Sequence, residues 1–211
     1  MGLKNKKILI TCGPTWVPID AVRVISNTSS GTLGQTCAKT CQGQGARVTL
    51  LEGPGTGTMA LTGIRRVKFH FLDELEGLLR KELPNKYDIV IHAAAVSDFK
   101  LKRPFSGKIS SKSKKMTLTL VPTKKLINLI KKISPGSFLV GFKLEPRYHR
   151  SQLLKDAQKL LKESQCDAVV ANVLNPGYQA FIVYKDGETT APVKSRLKLV
   201  QHLIQGVETR L

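Results

Sequence analysis

The sequence predicts an α/β fold: a Rossmann-like, mostly parallel sheet with helices on both faces, closed by a C-terminal β-hairpin and helix. Two observations lead there. As far as Asn172, short apolar runs alternate with stretches of helical periodicity, the pattern of successive βα units. Beyond Asn172, the alternating runs Ala180–Tyr184 and Thr189–Val193 are split by Lys185-Asp186-Gly187, and Asp-Gly between β-rich runs signals a hairpin. A third observation concerns use of the fold. The cluster Ser26-Asn27-Thr28-Ser29-Ser30-Gly31-Thr32-Leu33-Gly34 opens a helix after the first strand and a long loop. Amides at a helix start lack intrahelical partners and favour anions, so this stretch suits a phosphorylated ligand.

The predicted strands are Lys7–Thr11, Arg47–Leu51, Val67–Phe71, Asp88–Ala93, Phe138–Phe142 and Ala168–Ala171. The predicted helices are Leu33–Gln44, Asp73–Glu82, Lys124–Ile133, Arg150–Glu163 and Arg196–Arg210. Asp73, Ser151 and Ser195 are expected N-caps, and Gly45 the stop of the first helix. No repeat or linker divides the chain, so residues 1–211 are expected to form one nucleotide-binding α/β domain. The polar, basic stretch 100–115 stands out as a mobile flap.

Composition narrows the function. A chain of 211 residues can bury a real core. No apolar run reaches the ~18 residues that span a bilayer. The basic N-terminus precedes only Ile8-Leu9-Ile10, too short for a signal-peptide core. Lys6 does not fit the myristoylation pattern that Gly2 would begin. The expected location is the cytoplasm, with no membrane partner. Cys37 and Cys41 lie one helical turn apart, but no second close pair completes a zinc site; Cys12, Cys37, Cys41 and Cys166 are expected to be reduced, semi-buried thiols.

The net charge is +19, and it is uneven: no Asp or Glu occurs from Phe99 to Leu144, a stretch holding Lys100, Lys102, Arg103, Lys108, Lys112, Lys114, Lys115, Lys124, Lys125, Lys131, Lys132 and Lys143. Such a field favours anionic partners. Nucleic acid is one, but base-stacking aromatics among these residues are few, with only Phe99 and Phe105 between Phe99 and Lys115. A nucleoside triphosphate with a second phosphorylated substrate is another.

Four groups of residues fall at successive predicted strand ends, where open α/β sheets collect ligands. The first is Gly13 with the Ser/Gly cluster. It is not a dinucleotide fingerprint, since no G-x-G-x-x-G follows the first strand. Glu52, ending the second strand, could bind a ribose and keeps a nicotinamide-dependent oxidoreductase as an alternative. The second is His92-Ala93-Ala94-Ala95-Val96-Ser97-Asp98-Phe99. Its alanines keep side chains out of the way, and Asp98 can accept from hydroxyls or amides or join a Mg²⁺ shell. His92 reads as a packed strand histidine. The third is Gly141-Phe142-Lys143-Leu144-Glu145, where Phe142 could stack on a base and Gly141 allow its approach. The fourth is Asn172, which offers both a donor and an acceptor.

Together Asp20-Ala21-Val22-Arg23-Val24-Ile25-Ser26-Asn27-Thr28-Ser29-Ser30-Gly31, Ala93-Ala94-Ala95-Val96-Ser97-Asp98-Phe99, Gly141-Phe142-Lys143-Leu144-Glu145 and Val170-Ala171-Asn172 resemble phosphopantothenoylcysteine synthetases, over nearly the whole chain. Many bacteria fuse this activity behind a flavin-dependent decarboxylase; with Met1 so close to the first strand, a free-standing synthetase is expected. The resemblance implies a ligase that activates the carboxylate of 4′-phosphopantothenate with a nucleoside triphosphate and Mg²⁺, releases pyrophosphate, and passes the acyl group to the amine of L-cysteine. It implies that Gly13, Ser29, Gly31, Gly34, Phe142 and Asn172 line the nucleotide, with His92, Ala93, Ala94, Asp98, Lys108 and Lys159 completing that set. Asn27, Ala94, Ala95 and Asp98 would hold the pantothenate portion. Asn27 and Lys108 would be catalytic, and Arg23 would clamp an anionic group from the neighbouring subunit of a homodimer. The flap reads Lys108-Ile109-Ser110-Ser111 where the family has Lys-Ile-Lys-Lys, and Pro146 follows Glu145 where Thr is usual. Two lysines of the CTP-using enzymes fall at Leu160 and Ser164, and Ala157-Gln158-Lys159-Leu160-Leu161 resembles the ATP-using branch, which leaves CTP and ATP both open.

Overall fold

The computed structural model describes every residue except Met1, Thr58, Ser113, Lys114, Tyr148 and Pro176. The chain runs through β1 (Lys7–Cys12), β2 (Trp16–Pro18), β3 (Val24–Ser26), α1 (Thr32–Gly43), β4 (Arg47–Glu52), β5 (Arg65–Lys68) and α2 (Leu72–Glu82). It continues through β6 (Ile89–His92), β7 (Phe99–Leu101), β8 (Leu120–Pro122), α3 (Ile127–Ile133) and β9 (Phe138–Arg147). It ends with α4 (Arg150–Ser164), β10 (Ala168–Asn175), β11 (Gln179–Tyr184) and α5 (Arg196–Glu208).

Seven strands form one sheet in the order β11-β10-β9-β6-β1-β4-β5. All neighbours pair in parallel except β11, which runs antiparallel to β10. The central strands are apolar on both sides because both faces are covered. Ile8, Ile10 and Cys12 of β1 face α1 and α5, packing with Cys37, Ala38 and Cys41 and with Leu199, Leu203 and Val207. Leu9 faces the other way, into the layer of α2, α3 and α4, with Leu75, Leu79, Ile130, Leu153 and Ala157. The helices therefore cover both faces, as the sequence predicts. All four cysteines are free and fully buried rather than semi-buried. Burial pushes the Cys37 and Cys166 thiols up to about 12 and raises Cys12 and Cys41 as well.

Some boundaries differ for local reasons. Helix α3 starts three residues later than predicted: Thr123 donates to the Ser97 and Asp98 carbonyls (2.6 and 2.9 Å), which holds residues 120–123 in β8 and its exit. Strands β9 and β10 outrun their apolar cores because their pairing continues to Arg147 and Asn175. Asp73 is not the cap of α2; the Glu74 carboxylate accepts from the His70 and Phe71 amides (2.7 and 3.3 Å) and fixes the helix start earlier. Ser151 lies inside α4, whose N-cap is His149. Ser195 does cap α5, accepting from Lys198 N at 3.4 Å, and Gly45 follows α1 with φ +85°.

The expected C-terminal hairpin is partial. Strand β11 makes its full ladder with β10, while 189–193 lies along its outer edge through two bridges, Val183 to Thr189 and Ala180 to Val193. Pro192 has no N–H to extend that second ladder. Periodicity carries no signal for the short pairs β2–β3 and β7–β8, which stand beside the carboxyl ends of the sheet and hold the flap.

Ile10 is fully buried in the middle of β1. Ile10→Ala is expected to lower unfolding stability by about 2–5 kcal/mol, read as a drop in the urea midpoint with an unchanged m-value.

Candidate functional site

The strand order reverses between β1 and its neighbours β4 and β6, which opens a crevice at the carboxyl ends of β1 and β6. There the two strands do not simply splay apart. Ala93 N donates to Thr11 O (3.0 Å), Ala95 N to Gly13 O (2.8 Å) and Thr15 N back to Ala95 O (3.3 Å). The Thr11 hydroxyl accepts from Ala94 N (3.2 Å). Thr15 and Ser97, both buried, close the zipper with Ser97 N on Thr15 Oγ1 (2.9 Å), the two hydroxyls 3.2 Å apart and Ser97 Oγ donating to Thr15 O (3.2 Å). The Asn27 side chain donates to Ala95 O at 3.1 Å. The Ser/Gly loop and the alanine loop are thus joined, and Asn27 and Ala95 meet directly.

Beyond Asn27 the loop enters α1 at Gly31, which has φ +68° and no side-chain cap. The Ser29 hydroxyl accepts from Gly31 N at 3.4 Å. Among the described residues, the amides of Thr32, Leu33 and Gly34 have no acceptor, and the first helical bond is Gln35 N to Gly31 O. Packing leaves no room for a side chain at the three glycines. A Cβ on Gly13 would lie 2.7 Å from the Thr56 methyl, one on Gly31 2.4 Å from the same methyl, and one on Gly34 2.4 Å from Cys12 Cβ. The 53–57 loop is pinned there by Gln35 Nε2, which donates to Gly57 O (2.8 Å) and Glu52 Oε1 (3.0 Å). Glu52 is buried and also holds Arg66 Nε at 2.6 Å, so its carboxylate is committed to the scaffold rather than open to a ribose.

On the α1/α5 face, Phe142 is half-buried against the core. Asn172 is 8% exposed, and among the described residues its side-chain amide makes no hydrogen bond. Gly141 points away from this face: a Cβ there would meet Ile127 Cδ1 at 3.0 Å and Cys166 Sγ at 3.1 Å, so its smallness admits α3 and α4, not a base. Asp98 is 64% exposed at the mouth and forms an ion pair with Lys125. His92, expected among the nucleotide contacts, buries its ring instead. Its Nδ1 lies 2.9 Å from the Thr11 hydroxyl, a partner the sequence did not reveal, and burial pushes its pKa down to about 4.

Lys108 is exposed on the flap, between Gly107 and Ile109. Arg23 Nη1 donates to Asp20 Oδ2 (2.9 Å) and to Ile109 O (3.2 Å); among the described residues its Nε and Nη2 make no hydrogen bond. Ser113 and Lys114 of the predicted flap lie outside the described residues. Lys159 does not join the group. Helix α4 runs back from the carboxyl ends, and Lys159, exposed in its second half, faces Glu163 at 3.8 Å. The same half of α4 lines a cavity of about 630 Å³ at the opposite end of the sheet, with Lys131, Lys162 and Tyr184. Its Lys131 is spent on Asp167 and Ser137 O, both at 2.6 Å.

Thr11, Thr15, Ser97, Gln35, Thr56 and Asp20 take part in this arrangement without a role assigned from the sequence, although Ser97 and Asp20 lie within its motifs. Three of them, Thr11, Thr15 and Ser97, carried a usable signal: small hydroxyl residues at two strand ends that must lie side by side. Among the described residues, no group of three His, Cys, Asp or Glu side chains could hold a metal ion, and no helix is long and apolar enough to cross a membrane.

Comparison with known proteins places this arrangement in a family. Residues 3–210 match the DNA/pantothenate metabolism flavoprotein C-terminal domain. A coenzyme A biosynthesis bifunctional protein CoaBC from Thermococcus kodakarensis is 33% identical over 215 residues, covering 100% of this chain and 53% of the relative. The chain thus spans about half the length of that relative. Among solved structures, a DNA/pantothenate metabolism flavoprotein from Streptococcus pneumoniae superposes with a TM-score of 0.88 at 25% identity, covering 98% of this chain and 100% of that one. The C-terminal domain of a coenzyme A biosynthesis bifunctional protein CoaBC gives 0.82 at 25% identity, with coverage of 99% and 96%.

The buried imidazole has a pH consequence. His92 stays neutral in the fold down to about pH 4, whereas in the unfolded chain it takes up a proton near pH 6.5. Its contribution to stability is complete above pH 6.5 and is lost as the pH falls towards 4. Between pH 7 and 4.5, wild type is expected to lose on the order of 2 kcal/mol more unfolding free energy than His92→Asn. Equal losses in urea titrations of the two would contradict the assignment.

Proposed function

The chain belongs to the DNA/pantothenate metabolism flavoprotein C-terminal domain family, and on that premise we propose that it is a phosphopantothenate–cysteine ligase of coenzyme A biosynthesis, acting in the cytoplasm as one synthetase domain. The observation that carries the reading is the bond from the Asn27 amide to the Ala95 carbonyl (3.1 Å), which unites the Ser/Gly loop and the alanine loop in one groove. Its substrates are 4′-phosphopantothenate, L-cysteine and a nucleoside triphosphate, CTP or ATP; neither nucleic acid nor a membrane takes part.

A carboxylate resists amines because the amine merely protonates. In the reaction, a carboxylate oxygen of 4′-phosphopantothenate attacks the α-phosphorus, a P–O bond to pyrophosphate breaks, and an acyl-nucleotide forms. The cysteine amine, having lost its ammonium proton, then attacks the acyl carbon; the nucleoside monophosphate leaves with the C–O electrons and the new amide nitrogen gives up a second proton to solvent. Little covalent chemistry falls to the protein, so positioning and charge compensation dominate. The unclaimed amides of Thr32, Leu33 and Gly34 suit phosphate oxygens. Phe142 and the unpartnered amide of Asn172 suit the nucleoside. The Asn27 amide, with a second N–H to offer, suits the reacting carboxyl. Lys108 brings a positive charge to the triphosphate. Mg²⁺ would neutralise phosphate charge; it keeps most of its waters and needs few protein ligands, and the exposed carboxylate of Asp98 fits that role.

We also read the protein as a homodimer in which Arg23 reaches the neighbouring subunit's groove. Its unbonded Nε and Nη2 and the exposed apolar side chain of its chain neighbour, Val22 at 64%, support that reading.

The test is pyrophosphate release from 4′-phosphopantothenate and cysteine with each of the four triphosphates in turn. Release with CTP or ATP is expected, and none with any base would overturn the proposal. Asn27→Asp should leave nucleotide affinity nearly intact and slow turnover by about 10²–10³-fold, the cost of losing one oriented donor. Release at the wild-type rate would refute that role. Lys108→Gln should slow turnover by at least ~10-fold; a change under about threefold would mean that the flap lysine does not face the phosphates.

A further inference from the structure

The flap is docked on one buried carboxylate. The Asp20 side chain has no solvent exposure. Its Oδ1 accepts from the Val22 and Arg23 amides, both at 2.9 Å. Its Oδ2 accepts from Arg23 Nη1 at 2.9 Å and, across 89 residues of chain, from the Ile109 amide at 3.0 Å. A carboxylate offers about four acceptor sites, and here all four are used. The backbone donors hold the Asp20 carboxyl below the usual carboxylate range, so the charge persists through the physiological pH range. The same docking includes Phe105 N on Ile19 O and Ala21 N on Gly107 O, each 3.0 Å. A small apolar cluster of Val17, Ile19 and Leu101, with Ile109 and Leu118 against it, lies beneath.

We propose that Asp20 is a positioning residue: its carboxylate latches the flap to the β2–β3 hairpin and so fixes the reach of two cations at once, Arg23 by direct ion pair and Lys108 through the amide of the next residue. This rests on the ligase reading for what the two cations are aimed at, the anionic groups of the nucleotide and of 4′-phosphopantothenate. An acid-free, strongly basic flap would otherwise repel itself and sample many positions. One carboxylate at its base gives it a single docked state without placing a negative charge where phosphates bind.

Asp20→Asn preserves shape but turns an NH₂ towards two donors, Ile109 N and Arg23 Nη1. Without substrates, trypsin cleavage after Lys102, Lys108 and Lys112 should quicken by about tenfold, the loss of a charge-assisted hydrogen bond expressed as flap opening. Unchanged cleavage would overturn the latch. With substrates, Asp20→Asn should lower kcat by a similar factor in wild type but add little to the Arg23→Gln/Lys108→Gln double variant, because the residue acts through those two cations. A full additional loss in the triple variant, with the KM for cysteine disturbed as well, would mark a general structural role instead. Should Asp20→Asn fail to fold, the wild-type protein decides: the Ile109 amide must exchange its hydrogen more slowly than its flap neighbours, and exchange at the flap's common rate refutes the latch. If wild type releases no pyrophosphate, the ligase reading fails, while cleavage and exchange still decide whether Asp20 holds the flap.

Discussion

The structure depends on the pairing of β1 with β6 continuing beyond the ends of both strands. In most open α/β sheets the chains part where the sheet ends, and the crevice forms between them. Here the Thr11, Gly13 and Thr15 segment stays hydrogen-bonded to Ala93, Ala95 and Ser97, and the buried Thr15–Ser97 pair ends the zipper. Buried polar groups are costly unless paired, so a two-residue polar contact at this depth fixes one relative position for two loops. Everything laid on those loops inherits that position: Asn27 through Ala95, the start of α1 through the Gly13 and Thr56 contact, and β8 through Thr123 on Ser97 O.

Around this rigid seam the molecule separates its charges. The acids that could neutralise the groove are used elsewhere in the scaffold: Glu52 binds Arg66 and Gln35, Glu82 binds Arg65 and Tyr87, and Asp167 binds Lys131. What remains at the carboxyl ends of the strands is amides, hydroxyls, Asn side chains, two carboxylates already paired with lysines (Asp98 with Lys125, Glu145 with Lys143) and the basic flap. That combination attracts polyanions over long distances and then holds them by short, directional bonds.

The sheet, the two helical layers and the chain order of the strands were legible in the sequence because periodicity reports burial directly. So were the polar, small-residue loops at the strand ends in which the ligase reading places its substrates. The reasons assigned to single residues were less secure. Gly13, Gly31, Gly34 and Gly141 look like openings for a ligand, but each makes room for a protein atom, and only packing reveals which. His92 and Glu52 look available, yet their partners, Thr11 and Gln35–Arg66, come from elsewhere in the chain. Lys159 sits near a family position in sequence, but the direction of α4 carries it away from the groove. The hairpins β2–β3 and β7–β8 are three-residue strands without clear alternation, and they meet over a small core of Val17, Ile19 and Leu101. Periodicity cannot register contacts between residues so far apart.

The central claim is that one groove, at the carboxyl ends of β1 and β6, takes both phosphorylated compounds end to end. A crystal structure grown with a non-hydrolysable triphosphate analogue and 4′-phosphopantothenate tests it most directly. The account predicts the α-phosphorus and the pantothenate carboxyl in contact between the 27–34 loop and Ala93–Asp98, with Lys108 over the phosphates. Either compound seated instead in the cavity beside Lys162 and Tyr184, at the far end of the sheet, would contradict it.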